Sequence, residues 1–120
     1  MRYFLDTYAI VEIVKGNLNY KKLLDAEFLT SIFNLYEMFY ILLRDFNEET
    51  AKKYYGQFYE FLVDIEDESI FDACKFRLEH KKLSISYTDA LGYIIALKKN
   101  SKFLTGDDAF KGKDNVEFLK

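Results

Sequence analysis

The sequence predicts an α/β fold in which helices flank a small central parallel sheet. Three observations carry that prediction. Short apolar segments of strand character stand at both ends of the chain, at Tyr3-Phe4-Leu5, Lys102-Phe103-Leu104-Thr105 and Val116-Glu117-Phe118-Leu119. The long stretch between them keeps a helical period. The resulting order of strand, helices, strand, helix, strand is that of crossover-connected parallel strands.

Each element has a local reason. Tyr3-Phe4-Leu5 is too short for a helix before Asp6-Thr7 interrupts it, and it fits a buried strand. Ala9, Ile10, Ile13 and Val14 then share one face of a helix that Gly16 stops. Glu27-Phe28-Leu29-Thr30 is a further strand candidate. Phe33 to Phe46 reads as a long apolar helix. Asn47 caps the next, Glu48 to Leu62, whose two leading glutamates suit the positive end of the helix dipole. Asp67 to Lys82 is expected to bury Ile70, Phe71, Cys74 and Leu78. Tyr87 to Lys99 completes the helices and ends on two lysines that complement its C-terminus.

Composition bounds the answer further. The chain has 120 residues, half of them hydrophobic and 18% aromatic, which is enough to build a core and excludes intrinsic disorder. A single domain over residues 1–120 is expected. Seventeen basic against 20 acidic residues give a net charge of -3, which disfavours a basic protein that coats nucleic acid. It does not oppose nucleic acid as a substrate, because a cation can supply the positive charge. One cysteine, Cys74, forms no internal disulfide and fits a reducing compartment, so a cytoplasmic protein is expected. The longest apolar run, Met38 to Leu43, is far short of the roughly 20 residues that span a bilayer, so no membrane association is expected.

Ligands of parallel α/β sheets bind beyond the carboxyl ends of the strands. Asp6 directly follows the first strand, and Asp107-Asp108 follow the Lys102–Thr105 strand through Gly106. Two more acids, Glu37 and Asp89, interrupt otherwise apolar helix sequence. Buried carboxylates are costly unless paired or bound to a cation, and converging ones repel unless a divalent ion joins them. An all-oxygen set suits Mg²⁺ or Mn²⁺ rather than zinc. Each acid also has a plain structural explanation. Asp6 can cap a helix, Ser86-x-x-Asp89 and Asn34-x-x-Glu37 have capping-box spacing, and Asp107 can shape a turn. Singly these explanations are the stronger; four acids at strand ends and helix starts weigh the other way.

The motifs around these acids resemble those of PIN-domain nucleases. Phe4-Leu5-Asp6-Thr7 is similar to the opening motif and Asn34-Leu35-Tyr36-Glu37 to the second. Leu83 to Leu91, with Asp89, is similar to the third, and Phe103-Leu104-Thr105-Gly106-Asp107-Asp108-Ala109-Phe110 to the fourth. The resemblance covers essentially the whole chain, and the branch it points to is the VapC-type toxin of toxin–antitoxin pairs. It implies a three-layer α/β/α fold and a Mg²⁺- or Mn²⁺-dependent endoribonuclease with Asp6, Glu37, Asp89 and Asp107 as metal-binding carboxylates. Thr7 and Thr105 match supporting hydroxyl positions, and Asp108 is either an outer helper or a surface charge. The implied chemistry is metal-assisted hydrolysis, in which water attacks the scissile phosphate in line without a side-chain nucleophile. Tyr8 stands where the family pattern has a small residue, and Gly106 where it often has a basic one.

The resemblance also implies an RNA substrate, a cognate antitoxin and a homodimer. Tyr54, Tyr55, Phe58, Tyr59, Phe61 and Leu62 make a wider apolar band than one core face needs, and with Phe39, Tyr40 and Phe46 they are candidates for a partner surface. Paired lysines at 21–22, 52–53, 81–82 and 98–99 read as solvated helix ends. Lys102, Lys111 and Lys113 are the phosphate-contact candidates. His80 reads as a surface residue at a helix end and Cys74 as a small core residue. Two readings of other classes are carried alongside: a Mg²⁺-binding phosphoacceptor receiver domain, and a non-catalytic helical interaction module whose acids are all caps.

Overall fold

The computed structural model describes residues 1–120. Four strands, β1 (Arg2–Leu5), β2 (Glu27–Leu29), β3 (Lys102–Thr105) and β4 (Val116–Phe118), form one sheet in the order β2-β1-β3-β4. All three pairings are parallel, with Tyr3 opposite Phe28, Phe4 opposite Phe103, and Phe103 opposite Val116. The expected parallel sheet is therefore present, with Glu27–Leu29 as a full member. That sheet contradicts the helical architecture of the non-catalytic interaction module. The receiver reading also fails, because residues 32–79 carry helices where it needs an acid-tipped central strand.

Alternation along the strands divides the interior into two layers. Tyr3 and Leu5 of β1 and Leu104 of β3 face one cluster, built with α1 (Thr7–Val14), α3 (Ile32–Asp45) and α4 (Glu48–Phe58). Phe4 and Phe103 face the other, built with α5 (Asp67–Glu79) and α6 (Tyr87–Lys98). A short α2 (Leu18–Lys21), capped by Asn17, links the α1 side to β2. The α6 helix is buried from Ala90 to Ala96 and lies close to the sheet at Gly92. A Cβ there would sit 2.7 Å from the Phe4 ring and 3.1 Å from Phe103. No helix is long and apolar enough to cross a membrane.

Several boundaries and faces differ from the sequence expectation. The α3 helix starts at Ile32 because Ser31 supplies the cap, its hydroxyl accepting from the Asn34 amide at 3.3 Å; the expected Asn34-x-x-Glu37 capping box is not formed, since Asn34 lies inside the helix. The helix from Glu48 ends at Phe58 and tightens into a 3₁₀ turn over Tyr59–Phe61, freeing Leu62 to bridge Thr30 beside the sheet. Likewise α5 ends at Glu79, and residues 81–83 form a separate 3₁₀ turn. The α5 face is also corrected. Ser69 and Ala73 are buried, whereas Ile70, Phe71 and Leu78 are 42%, 54% and 71% exposed and Cys74 is exposed. Small residues let α5 approach α6 closely, which turns the larger side chains outward. His80 is half-buried, its ring 4.3 Å from that of Phe76.

Candidate active site

Because every strand runs the same way, their carboxyl ends meet at one edge of the sheet. Asp6 leaves β1 there, and Asp107 follows β3 through Gly106. The first turn of α6 brings Asp89 to the same edge and the second turn of α3 brings Glu37. All four side chains line one open cleft, with Thr7, Tyr8, Gly106, Asp108 and Lys120 completing its walls. No three of the chain's His, Cys, Asp or Glu side chains gather at ligating distance around one point. The cleft is thus a ring of neighbouring carboxyls rather than a closed coordination sphere.

Asp6 is the most buried of them, 2% exposed. It caps α1 with Oδ1, which accepts from the Ala9 amide at 2.8 Å. Its Oδ2 accepts from the Thr105 hydroxyl. Burial pushes its pKa up to about 8; the Thr105 and Ala9 hydrogen bonds oppose that rise, and Asp89 and Asp107 add repulsion to it. Asp89 is pushed up to about 6, by burial first, then by Asp107 and Glu37. Asp107 lies within hydrogen-bonding reach of Asp89, and it caps the 3₁₀ turn Asp108–Phe110 by accepting from the Ala109 amide at 3.0 Å. The capping explanations of Asp6 and Asp107 are therefore correct and do not compete with a site. Each cap uses one carboxylate oxygen and orients the other.

Thr105 links two of the acids, since its Oγ1 accepts from the Asp107 amide at 3.0 Å while donating to Asp6. Thr7 serves the third, donating to Glu37 Oε1 at 2.6 Å. Asp108, on the cleft wall, is exposed and paired with Lys120 at 3.2 Å. Of the lysines expected near phosphate, Lys102 opens β3 and so lies at the opposite edge of the sheet. Lys113 lies over the Phe76 ring and Lys111 over Phe118, and neither lines the cleft.

Three relations at the cleft escaped the sequence reading. Asn34, fully buried, donates from Nδ2 to Thr7 Oγ1 at 3.2 Å and accepts from the Ser31 hydroxyl at 2.6 Å, forming a chain Ser31–Asn34–Thr7–Glu37. An amide on the buried side of an apolar helix must find partners, and that was the available signal. Tyr8 and Gly106, the two departures from the family pattern, belong together. A Cβ at position 106 would run into the Tyr8 ring and stand 2.8 Å from the Leu119 carbonyl oxygen, so the phenol fills the space of the missing side chain. Lys120 is the third, brought to the cleft by the segment after β4.

The fold is shared with proteins of known structure. The chain is similar to VapBC2 from Rickettsia felis bound to a DNA fragment from their promoter, at 22% identity over 99% of this chain and 98% of that one, with a TM-score of 0.76. It is similar to VapC20 of Mycobacterium tuberculosis, a Sarcin-Ricin loop cleaving toxin, at 17% identity, with 95% and 98% covered and a TM-score of 0.77. A toxin-antitoxin complex from Klebsiella pneumoniae matches at 18% identity, with 96% and 95% covered and a TM-score of 0.76. No curated protein sequence matches the chain. These likenesses establish the fold, and the family model for the PIN domain matches residues 3–116. The chain belongs to the PIN domain family.

Proposed function

We propose that residues 1–120 act as a single endoribonuclease domain, the toxin of a toxin–antitoxin pair, which hydrolyses RNA phosphodiesters with Mg²⁺ or Mn²⁺. The proposed ligands are Asp6, Glu37, Asp89 and Asp107, supported by Thr7 and Thr105. One observation carries the reading: four acids from separate parts of the chain line one cleft, and crowding and burial hold two of them well above the usual carboxylate range. Structural ion-pair networks also perturb carboxyls, but here no cation faces Asp6 or Asp89 among the causes of their shifts.

The donor set fits a hard divalent cation. It is all oxygen, while Cys74 and His80, the residues that favour softer ions, lie on and beside α5, away from the cleft. A divalent cation bound there would neutralise the carboxylates, activate water and stabilise charge on a phosphate. The chain's own residues hold that arrangement in register. Thr105 fixes Asp6 against Asp107, Thr7 fixes Glu37, and the Ser86 cap fixes the turn that carries Asp89.

The test is a titration of Mg²⁺ and Mn²⁺ with a fluorogenic RNA. Cleavage is expected from the wild type, none in EDTA, and none from Asp6→Asn or Asp89→Asn, both still folded. Wild-type rates from the purified variants would refute the assignment.

The named structural neighbours include toxin–antitoxin complexes, which supports a cognate antitoxin, and the lone, unpaired Cys74 supports a cytoplasmic setting. Exposed apolar side chains support a homodimer, through only part of the band that was expected. Phe58 is buried and Tyr54, Tyr55 and Phe61 are half-buried, so Tyr40, Phe46 and Tyr59 are the exposed members of that band, while Ile70, Phe71 and Leu78 of α5 are exposed on the other side of the sheet. Sedimentation at micromolar concentration checks this: a dimer is expected and a monomer counts against it.

A further inference from the structure

We infer that Lys120 is the substrate-binding cation of the cleft, taking a phosphate of the RNA strand next to the one that is cut. The inference rests on the nuclease reading above. Five carboxylates line the cleft and Lys120 is the only basic side chain among its lining residues. A polyanion entering such a cleft meets repulsion that cations at the scissile phosphate offset only locally, so a neighbouring phosphate needs its own positive partner.

The placement of Lys120 is built. The Leu119 amide donates to the Thr105 carbonyl at 2.9 Å, which extends the β3–β4 ladder one residue past β4. The Tyr20 hydroxyl donates to the Leu119 carbonyl, and Asn19 Nδ2 donates to the Lys120 carbonyl at 2.9 Å. Three contacts from two other segments therefore fix the base of the side chain beside Gly106 and Asp107. At its tip, Nζ lies 3.2 Å from Asp108 Oδ1 and 3.3 Å from Oδ2. Both partners of that pair are more than half exposed, at 55% and 74%. Exposed ion pairs contribute little, so the ammonium can leave Asp108 for a phosphate at small cost. Asp108 thereby acquires a role: it parks the cation at the cleft mouth.

Two other positions around the fourth motif do not supply a cation to the cleft. Gly106 has no room for a side chain beside the Tyr8 ring, and Lys102 lies at the far edge of the sheet. Lysine is a flexible point charge rather than a rigid fork, so the proposed contact is to a phosphate and reads no base.

Steady-state cleavage of a single-stranded fluorogenic RNA by the full chain in Mg²⁺ tests this with Lys120→Ala, Lys120→Gln and Lys120→Arg. For Ala and Gln, KM is expected to rise about fivefold with kcat changed by less than about twofold, and Arg is expected to restore KM. The logarithmic salt slope of kcat/KM should also lose about 0.7 in magnitude in Ala and Gln, the contribution of one phosphate contact on a single strand. An unchanged KM and salt slope in Lys120→Ala, or a loss confined to kcat, overturns the assignment while leaving the nuclease reading intact. A wild type that cuts no RNA with either ion overturns both. Melting temperatures of the variants should match the wild type, because the side chain makes only the exposed pair with Asp108; a large drop would mark a structural role and also overturn the assignment.

Discussion

Asp6 shows how one residue serves the fold and the chemistry with different atoms. Oδ1 caps α1 and Oδ2 takes the Thr105 hydroxyl, yet burial still pushes the group from an ordinary 3.8 to about 8. Between those values the native state keeps a proton that the unfolded chain has released. The contribution to stability is therefore fully present below pH 3.8 and lost as pH rises through about 8. Asp89 acts in the same direction up to about 6. In EDTA, the wild type should lose stability steadily from pH 5 to pH 8, read as a falling melting temperature. Asp6→Asn keeps the cap acceptor and cannot ionise, so it should melt above the wild type at pH 8, by a margin that shrinks toward pH 5. A margin independent of pH would contradict the burial of an ionisable Asp6. Asn34 works one step further from the cleft, through Thr7 to Glu37. Asn34→Ala should cost about 1–3 kcal/mol by leaving the Ser31 and Thr7 hydroxyls short of partners. It should also raise the Mn²⁺ concentration needed for half-maximal cleavage. Equal metal dependence in variant and wild type would reduce Asn34 to a packing residue.

At the scale of elements, β1 and β3 were legible because each is a short apolar or aromatic run ended by a polar or glycine break, and their burial follows from that pattern, whereas β4, with Glu117 at its centre, is only half-buried. The helices were legible as elements but less so as faces. The α5 reading failed because period alone cannot say which of two stripes is buried. Ile70, Cys74 and Leu78 form one stripe and Ser69, Ala73 and Phe76 another. Closeness to α6 selected the one with small residues, a tertiary constraint with no local signature. Asp6 and Asp107 were legible because they follow strands, and Glu37 and Asp89 because they interrupt apolar helix sequence, whereas Lys120 was not, since a surface lysine carries no local signal and its meaning comes from the β3–β4 register. Gly92 records the same kind of constraint as α5. It lets α6 lie against Phe4 and Phe103, and a methyl group there would come within 2.7 Å of the Phe4 ring. Gly92→Ala should therefore destabilise the chain by about 1–3 kcal/mol through overpacking, despite the better helix propensity of alanine. Urea unfolding measures it, and a stabilised variant would mean that α6 and the sheet have slack at this contact.

The charge of the whole molecule is arranged around the cleft. Setting Asp6, Glu37, Asp89 and Asp107 aside leaves 16 acidic against 17 basic residues, so the net charge of -3 belongs to the site and the remainder is near neutral. A polyanion thus meets no general repulsion, only a local one at the cleft, and that local charge should be the quantity a divalent ion controls. Anything that binds the native state alone stabilises it by mass action. The native cleft binds a cation best when its carboxyls are ionised, which for Asp6 requires a pH near or above 8 and for Asp89 one near or above 6. Protons and the divalent ion therefore compete for the same oxygens, and the two effects on stability must be linked. Mg²⁺ at millimolar concentration should raise the melting temperature strongly at pH 8, weakly at pH 5.5, and hardly at all in Asp6→Asn or Asp89→Asn at either pH. The same titration should flatten the fall in stability that the metal-free protein shows as pH rises, because the ion replaces the proton that Asp6 loses. A stabilisation by Mg²⁺ of equal size at both values, or one retained in the two variants, would locate the ion elsewhere on the surface and separate the raised carboxyls from metal binding.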